Sequence, residues 1–239
     1  MNKNIKFSII IPAFNEEKYI ADSIKCAQNQ QGDFDIEIIV VNNASTDKTK
    51  QIAESLGVRV IDEAIKGVGR ARKIGTEASN GEFVLQIDAD THLPEDYLLQ
   101  VKERFDNDPK LVCVGGQFYF YDANLFWFVV RFVLFYPFYW FAILSLRELA
   151  GPIGNNMTFK RSAYEQTTGF DAGLKYGEDF DINRKMAKIG KIKFDLKLKY
   201  FVSSRRFKFF NRDFWSYAGN FFNFCLKKEI RNNELSNYK

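Results

Sequence analysis

Two aspartates separated by one residue form the most chemically suggestive pair in the chain. Asp88 and Asp90 directly follow an apolar run at 83–87. In an extended segment, side chains at positions i and i+2 point to the same side, so the two carboxylates can act together. Their hard oxygens suit Mg²⁺ or Mn²⁺, and such a metal can neutralise a departing nucleoside diphosphate. The alternative is a turn that ends a strand and places acids before the next helix.

A second acidic stretch of catalytic type, Glu178 and Asp179, follows Gly177. Together with Asp181 these acids open an amphipathic helix that is predicted to end near Gly190. Acids at a helix N-terminus also complement the helix dipole without any catalytic role. The residues alone leave both interpretations open.

The elements that must position these acids alternate between apolar strands and amphipathic helices. Strands are predicted over 7–11, 36–41, 58–61, 82–87, 111–119 and 200–203, and helices over 16–31, 46–56, 67–79, 94–105 and 177–190. Near-continuous Ile and Val strands that alternate with helices are typical of an α/β fold. They predict a mostly parallel central sheet with helices on both faces.

Polar residues follow three of the predicted strands. They are 12–15 after the first strand, Asn42 and Asn43 after the second, and Asp88 and Asp90 after the fourth. In α/β sheets, ligands bind beyond the carboxyl ends of the strands, near a switch point in strand order. This convergence is the strongest physical indication of a site, and it favours the metal interpretation of Asp88 and Asp90.

Several catalytic classes are excluded by the residue inventory. His92 is the single histidine, which makes Ser-His-Asp and Cys-His arrangements and multi-histidine metal sites improbable. Cys26, Cys113 and Cys225 are far apart and odd in number. This pattern argues against a disulfide framework and fits a reducing compartment.

Five motifs occur in a familiar order and spacing: FSIIIPAFNEEKYI, IIVVNNASTDKT, GVGRARKIGTEASNGEFVLQIDADT, GNNMTFKRSAY and GFDAGLKYGEDFDINRKM. Together they resemble a family 2 glycosyltransferase, of the inverting kind with the GT-A fold. The resemblance covers residues 6–206. It implies a nucleoside-diphosphate sugar as the donor and Mg²⁺ or Mn²⁺ as the cofactor.

The resemblance implies a role for each residue of the donor site. Pro12, Phe14 and Glu16 would lie against the nucleoside, Asn42 and Asn43 at the base, Lys66 and Arg72 near the base and phosphates, Asp88 at the ribose and metal, and Asp90 on the metal. The family usually has two aspartates where Asn42 and Asn43 stand. An amide both donates and accepts hydrogen bonds, whereas a carboxylate only accepts, so uracil, guanine and thymine all remain open.

The resemblance also implies residues on the acceptor side. Asp179 would be the general base, Glu178 a contact to the acceptor or its neighbour, Asn155 and Asn156 part of the acceptor cleft, and Arg205 and Arg206 contacts to the diphosphate. Direct displacement at the anomeric carbon needs a carboxylate that removes a proton from the attacking hydroxyl as the bond forms. The alternatives are a turn entering a strand for the asparagines and a solvated basic turn for the arginines.

Two aromatic-rich segments predict a membrane-facing elaboration. The chain contains 25 Phe, and 125–146 is almost wholly apolar apart from Arg131, Pro137 and Ser145. Two short helices that meet at Pro137 and lie on the membrane would fit this pattern, and a buried helix pair is the alternative. Residues 183–239 hold 15 Lys and Arg against four Asp and Glu, whereas 1–182 hold 19 against 26. The basic aromatic tail favours an anionic membrane surface over nucleic acid, for which no RNA-binding motif is present.

We therefore expect one domain over 1–239. It would comprise a nucleotide-sugar half at 1–110, an acceptor half at 111–206 and a C-terminal segment at 207–239. The apolar run near the N-terminus is too short for a signal peptide, so we expect a cytoplasmic, peripheral membrane protein. Its acceptor would be a glycan or a polyprenyl-linked or other lipid. The alternatives are a sugar nucleotidyltransferase and an inactive, membrane-associated sugar-nucleotide-binding protein.

Overall fold

The computed structural model describes residues 7–123, 151–174 and 177–207, with side chains through residue 205. The strands are β1 (Phe7–Ala13), β2 (Ile36–Asn42), β3 (Arg59–Asp62), β4 (Phe83–Ile87), β5 (Thr91–His92), β6 (Leu111–Phe120), β7 (Asn156–Lys160) and β8 (Lys191–Val202). The helices are α1 (Ile20–Gln28), α2 (Thr49–Ser55), α3 (Val68–Ala78), α4 (Tyr97–Asn107), α5 (Arg161–Tyr164) and α6 (Glu178–Met186), and a 3-10 turn follows at Ser204–Phe207.

These strands form one mixed sheet in the order β3-β2-β1-β4-β7-β6-β8-β5. The first four strands in this order are parallel to one another, and their connections contain α1, α2 and α3. β7 runs antiparallel between β4 and β6, and β5 runs antiparallel to β8. The prediction of a mostly parallel sheet is confirmed, with two strands reversed in its second half.

Alternate residues of β1 enter two separate hydrophobic clusters. Ile9 and Ile11 pack with α1 and α4 on one face, whereas Ile10 packs with α3 and α6 on the other. A strand with both faces buried consists of a nearly continuous run of apolar residues. This explains why residues 7–11, FSIII, contain Ser8 as their single polar residue. On the second face α3 approaches so closely that a Cβ on Gly75 would lie 2.3 Å from Ile10.

The second half of the chain departs most from the predicted elements. β8 begins at Lys191 rather than near residue 200, because alternating polar and apolar residues form one long, half-exposed strand. Helix α2 begins at Thr49, later than predicted, and has no side-chain cap. The backbone N–H of the nearby Thr46 donates a hydrogen bond to Asn15 Oδ1 at 2.8 Å.

The predicted membrane-facing segments lie outside the described residues. This applies to 125–146 and to the C-terminal segment beyond residue 207. In the part of the chain that the structure does describe, every helix is too short or too polar to cross a bilayer.

Candidate active site

The carboxyl ends of β1, β2 and β4 meet at one edge of the sheet, as the sequence predicts. Ala13 at the end of β1 pairs with Asn42 at the end of β2, and β4 lies on the other side of β1. A cavity of about 250 Å³ opens there. Its lining includes Pro12, Ala13, Phe14, Glu16, Asn43, Lys66, Gly67, Val68 and Asp88. Six of the predicted donor-site residues therefore surround one hollow.

One side of this cavity carries an exposed aromatic ring. Phe14 is 42% exposed, and the Lys66 ammonium lies 4.2 Å from its ring centroid. Asn43 braces the adjoining loop, because its amide donates to the Ile65 carbonyl at 2.7 Å and accepts from the Gly67 N–H at 2.7 Å. The loop that supplies Lys66 is thus tied to the end of β2.

The Asn42 side chain is paired with an acid that the sequence interpretation missed. Asn42 Nδ2 donates to Asp62 Oδ1 at 2.8 Å, and Lys50 donates to the other oxygen of Asp62. The bond from Asn42, followed by that from Lys50, lowers the pKa of Asp62. Asp62 ends β3 as Asn42 ends β2, so the rule about polar strand ends could have found it.

Arg72 lies at the centre of the described site. This side chain is only 4% exposed, and its Nη2 lies 3.0 Å from Asp88 Oδ1. Its Nε lies 3.4 Å from Glu178 Oε1, and its Nη1 donates to the Gly154 carbonyl. Arg72 was expected to meet the base and phosphates; its guanidinium is hydrogen-bonded to Asp88 and Gly154 and forms an ion pair with Glu178, so it joins the donor and acceptor sides.

The acids at the start of α6 face this guanidinium. Asp179 accepts from the Gly154 N–H at 3.0 Å and from the Phe180 N–H at 2.9 Å. Burial, followed by the charge of Asp179, raises the pKa of Glu178 to about 7, and Arg72 opposes that rise. Burial also raises the pKa of Asp179. The strand end at Asp88 and the acids of α6 therefore share one electrostatic environment.

Asp90 and Glu16 are joined by Arg205. Arg205 Nε lies 2.7 Å from Asp90 Oδ2, and its Nη2 lies 2.7 and 2.6 Å from the two oxygens of Glu16. These contacts link residues that follow β4, β1 and β8. The expected metal ligand and the expected diphosphate contact thus form an ion pair with each other. The side chain of Arg206 is not among those described.

The expected acceptor residues are engaged inside the protein. Asn156 is fully buried, and its Oδ1 accepts from the Tyr97 hydroxyl and from the Gly116 N–H. The side chain connects β7 to α4 and β6, and its expected contact with an acceptor stays a prediction. Asn155 is half-buried and accepts a 2.6 Å hydrogen bond from the Tyr200 hydroxyl.

The donor set at the end of β4 suits a hard divalent cation in its chemistry, since Asp88 and Asp90 supply carboxylate oxygens. Among the residues described, no group of three or more His, Cys, Asp or Glu side chains is placed to hold a metal by itself. A cation there would need further ligands from a bound phosphate or from water, which is the mode in which Mg²⁺ usually binds.

Comparisons with known proteins identify relatives of this chain. Residues 8–168 match the family described as glycosyl transferase family 2. A putative glycosyltransferase of Bacillus subtilis, EpsH, is 34% identical over 122 residues, which cover 49% of this chain and 35% of that protein. Chondroitin synthase of Escherichia coli is 28% identical over 200 residues, which cover 81% of this chain and 28% of that protein. The chain thus spans about a third of the length of these relatives.

Solved structures share the fold at low sequence identity. The mannosyltransferase PcManGT of Pyrobaculum calidifontis, in complex with GDP-Man and Mn²⁺, superposes with a TM-score of 0.65 at 21% identity, covering 84% of this chain and 58% of that one. TarS 1-349 of S. aureus in complex with UDP-GlcNAc gives 0.64 at 20% identity, covering 83% and 58%. With the family match extending over most of its residues, this chain belongs to glycosyl transferase family 2.

Proposed function

We propose that this chain transfers a sugar from a nucleoside diphosphate to an acceptor hydroxyl, with inversion at the anomeric carbon. The observation that carries the proposal is the Arg72 bridge between Asp88 and Glu178. It brings the strand end expected to hold the donor next to the acids expected to act on the acceptor. Inverting transfer needs both in one hollow, since the nucleophile attacks as the diphosphate leaves from the opposite face.

Asp179 is the general base in this proposal. Two backbone N–H groups fix its carboxylate, and the side chain is only half-buried, so a hydroxyl can reach it. A raised pKa makes the ionised carboxylate a stronger proton acceptor at neutral pH. Glu178 is buried against Arg72, so we assign it to orientation of the neighbouring base and of the acceptor edge.

We further propose that Asp88 and Asp90 hold a divalent cation together with the donor. When bound, Mg²⁺ or Mn²⁺ neutralises charge on the leaving diphosphate. Mn²⁺ accompanies the donor nucleotide in the PcManGT complex, which supports this assignment. The protein's own part is to present the Asp88 carboxylate at the cavity that Pro12, Phe14 and Lys66 also line.

The acceptor proposed is a glycan, a polyprenyl-linked glycan or phosphate, or a glycolipid, reached by peripheral binding at the cytoplasmic membrane face. This is supported by the aromatic and basic composition of 125–146 and 207–239. Aromatic residues with interleaved cations are typical of segments that lie at a lipid interface.

A donor panel tests the proposed reaction. UDP-glucose, UDP-GlcNAc, GDP-mannose and dTDP-glucose, each with and without Mn²⁺, would be compared by thermal shift. Saturating the correct donor should raise the melting temperature by about 5 °C, because ligand that binds only the native state stabilises it. Release of nucleoside diphosphate with that donor supports sugar transfer. Formation of a nucleotide sugar from a sugar 1-phosphate and a nucleoside triphosphate would instead identify a nucleotidyltransferase.

Replacing the proposed general base, Asp179, should slow the chemical step without weakening donor binding. Asp179→Asn should lower turnover by about 100-fold or more while donor affinity is retained, because proton removal is lost. Asp181→Asn is the matched control, since Asp181 lies on the same helix and pairs with Lys185 at 2.6 Å. Steady-state rates and donor titrations on both variants check this. Normal turnover in Asp179→Asn would refute the assignment.

The hydrogen bond between Asn42 and Asp62 gives a prediction about stability. Asn42→Asp should lower the free energy of unfolding by about 1–3 kcal/mol, since the donated hydrogen bond to Asp62 becomes a contact between two carboxylates. Adding Asp62→Asn should restore most of the loss by supplying a donor again. Urea denaturation of the two single variants and the double variant measures this. An undiminished loss in the double variant would contradict the pairing.

Membrane association is tested by sedimentation with liposomes. Vesicles containing phosphatidylglycerol should bind the chain, whereas phosphatidylcholine vesicles should bind it weakly, because basic residues are attracted to anionic lipid. Lys227→Gln with Lys228→Gln should weaken binding by on the order of fivefold per charge removed. Absence of binding to either vesicle would count against the membrane proposal.

A further inference from the structure

Arg205 is hydrogen-bonded to Asp90, whose carboxylate is expected to hold the metal. Its Nε donates to Asp90 Oδ2 at 2.7 Å, and its Nη2 contacts both oxygens of Glu16. The guanidinium carbon also lies 4.1 Å from the Tyr19 ring centroid. The side chains of Glu16 and Asp90 are 7% and 5% exposed. A cation of the protein itself thus stands at the rim of the donor cavity.

Arg205 comes from a part of the chain after β8, yet it contacts a residue that lines the donor cavity. Arg205 lies in the 3-10 turn after β8, whereas Glu16 lines the cavity and follows β1. Its side chain remains 23% exposed, in contrast to the 4% of Arg72. Arg72 is enclosed by its partners, whereas Arg205 retains an open side through which its guanidinium can change partner.

A divalent cation and a guanidinium compete for the same oxygens of Asp90. Both need the lone pairs of that carboxylate, and two cations side by side repel each other in a site with little water. The metal alone therefore has to detach Arg205 and leave it without that carboxylate. A diphosphate that arrives with the metal provides new acceptors, because guanidinium forms bidentate contacts with phosphate as readily as with carboxylate.

The formal charges favour such an exchange. Glu16, Asp90 and Arg205 together carry one excess negative charge. A divalent metal with the two negative charges of a sugar-nucleotide diphosphate adds no net charge, so the balance of the site is preserved. Metal alone would leave an excess of positive charge in a site that is largely buried.

We propose that Arg205 is the counter-cation of Asp90 in the nucleotide-free donor site. A divalent metal displaces Arg205 from Asp90, and the guanidinium then binds the diphosphate of the donor. This inference rests on the proposed function. It makes Arg205 a positioning residue that suppresses metal binding to the empty site and couples metal binding to nucleotide binding. A purely structural arginine would stabilise the fold without changing the metal affinity of the nucleotide-free protein.

Mn²⁺ titrations monitored by the EPR signal of free Mn²⁺ test the proposal on the full chain. The probes are Mn²⁺ alone, Mn²⁺ with UDP and Mn²⁺ with GDP. Without nucleotide, Arg205→Met should bind Mn²⁺ about tenfold more tightly than the unmodified protein, and the gain in affinity on adding nucleotide should be smaller in this variant. Asp90→Asn should abolish the tightened binding.

Two further variants keep the test decisive. Arg205→Gln removes the charge of Arg205 but keeps a polar side chain, so it should also tighten Mn²⁺ binding, and it serves where Arg205→Met does not fold. Arg104→Met is the matched control, because Arg104 pairs with Asp195 at 2.8 Å, seven residues before the end of β8. Its Mn²⁺ affinity should equal that of the unmodified protein.

Equal Mn²⁺ affinity of the unmodified protein, Arg205→Met and Arg205→Gln without nucleotide would overturn the inference, as would an absence of Asp90-dependent binding in all of them. The donor panel reports on the proposed function separately. Sugar transfer without an effect of Arg205→Met on Mn²⁺ binding would leave the function standing and remove the exchange. Tighter Mn²⁺ binding by Arg205→Met in a chain that transfers no sugar would support the exchange and contradict the proposed function.

Discussion

The contact on which the described site depends is the buried guanidinium of Arg72 between Asp88 and Glu178. A buried carboxylate without a cation is costly, and the pKa of Glu178 reaches about 7 even with Arg72 beside it. Without that cation, the Asp88 and Glu178 carboxylates would repel each other with no positive charge between them. The same side chain donates to Gly154, whose N–H binds Asp179. One cation from α3 thus holds the end of β4, the turn before β7 and the start of α6 together.

The two aspartates after β4 are each paired with an arginine, and the two pairs differ in kind. Asp88 pairs with Arg72, which three protein groups enclose, whereas Asp90 pairs with Arg205, which keeps an exposed side. The sequence-based expectation of an extended segment is wrong here, because Asp90 lies in a turn after β4 that the Thr91 N–H closes by donating to the Asp88 carbonyl at 3.0 Å. The enclosed pair maintains the geometry of the site. The partly exposed pair is the one that we propose to exchange partners.

The parallel strands and the polar edge follow from the sequence, because apolar runs bounded by polar residues specify both. Asn42 and Asp88 could be assigned to the same edge of the sheet without coordinates. The pairing of Arg205 with Glu16 could not, since 189 residues separate them and no local pattern encodes the approach. The contacts of Asn156 could not be predicted from the sequence either. Its motif position suggested a cleft, but its side chain is buried between β7, α4 and β6.

The asparagines at 42 and 43 are the one feature of the chain that favoured an inactive relative, and their contacts give them another explanation. Asn42 donates to Asp62, so an aspartate at 42 would set two carboxylates against each other. The acid at this corner of the sheet lies at the end of β3 instead, and Lys50 pairs with it. Asn43 uses both ends of its amide to hold the loop that supplies Lys66, a task for which a carboxylate lacks the donor. The contacts of Asn42 and Asn43 therefore require an amide at each position. The replacement of the family's two aspartates does not by itself indicate lost activity.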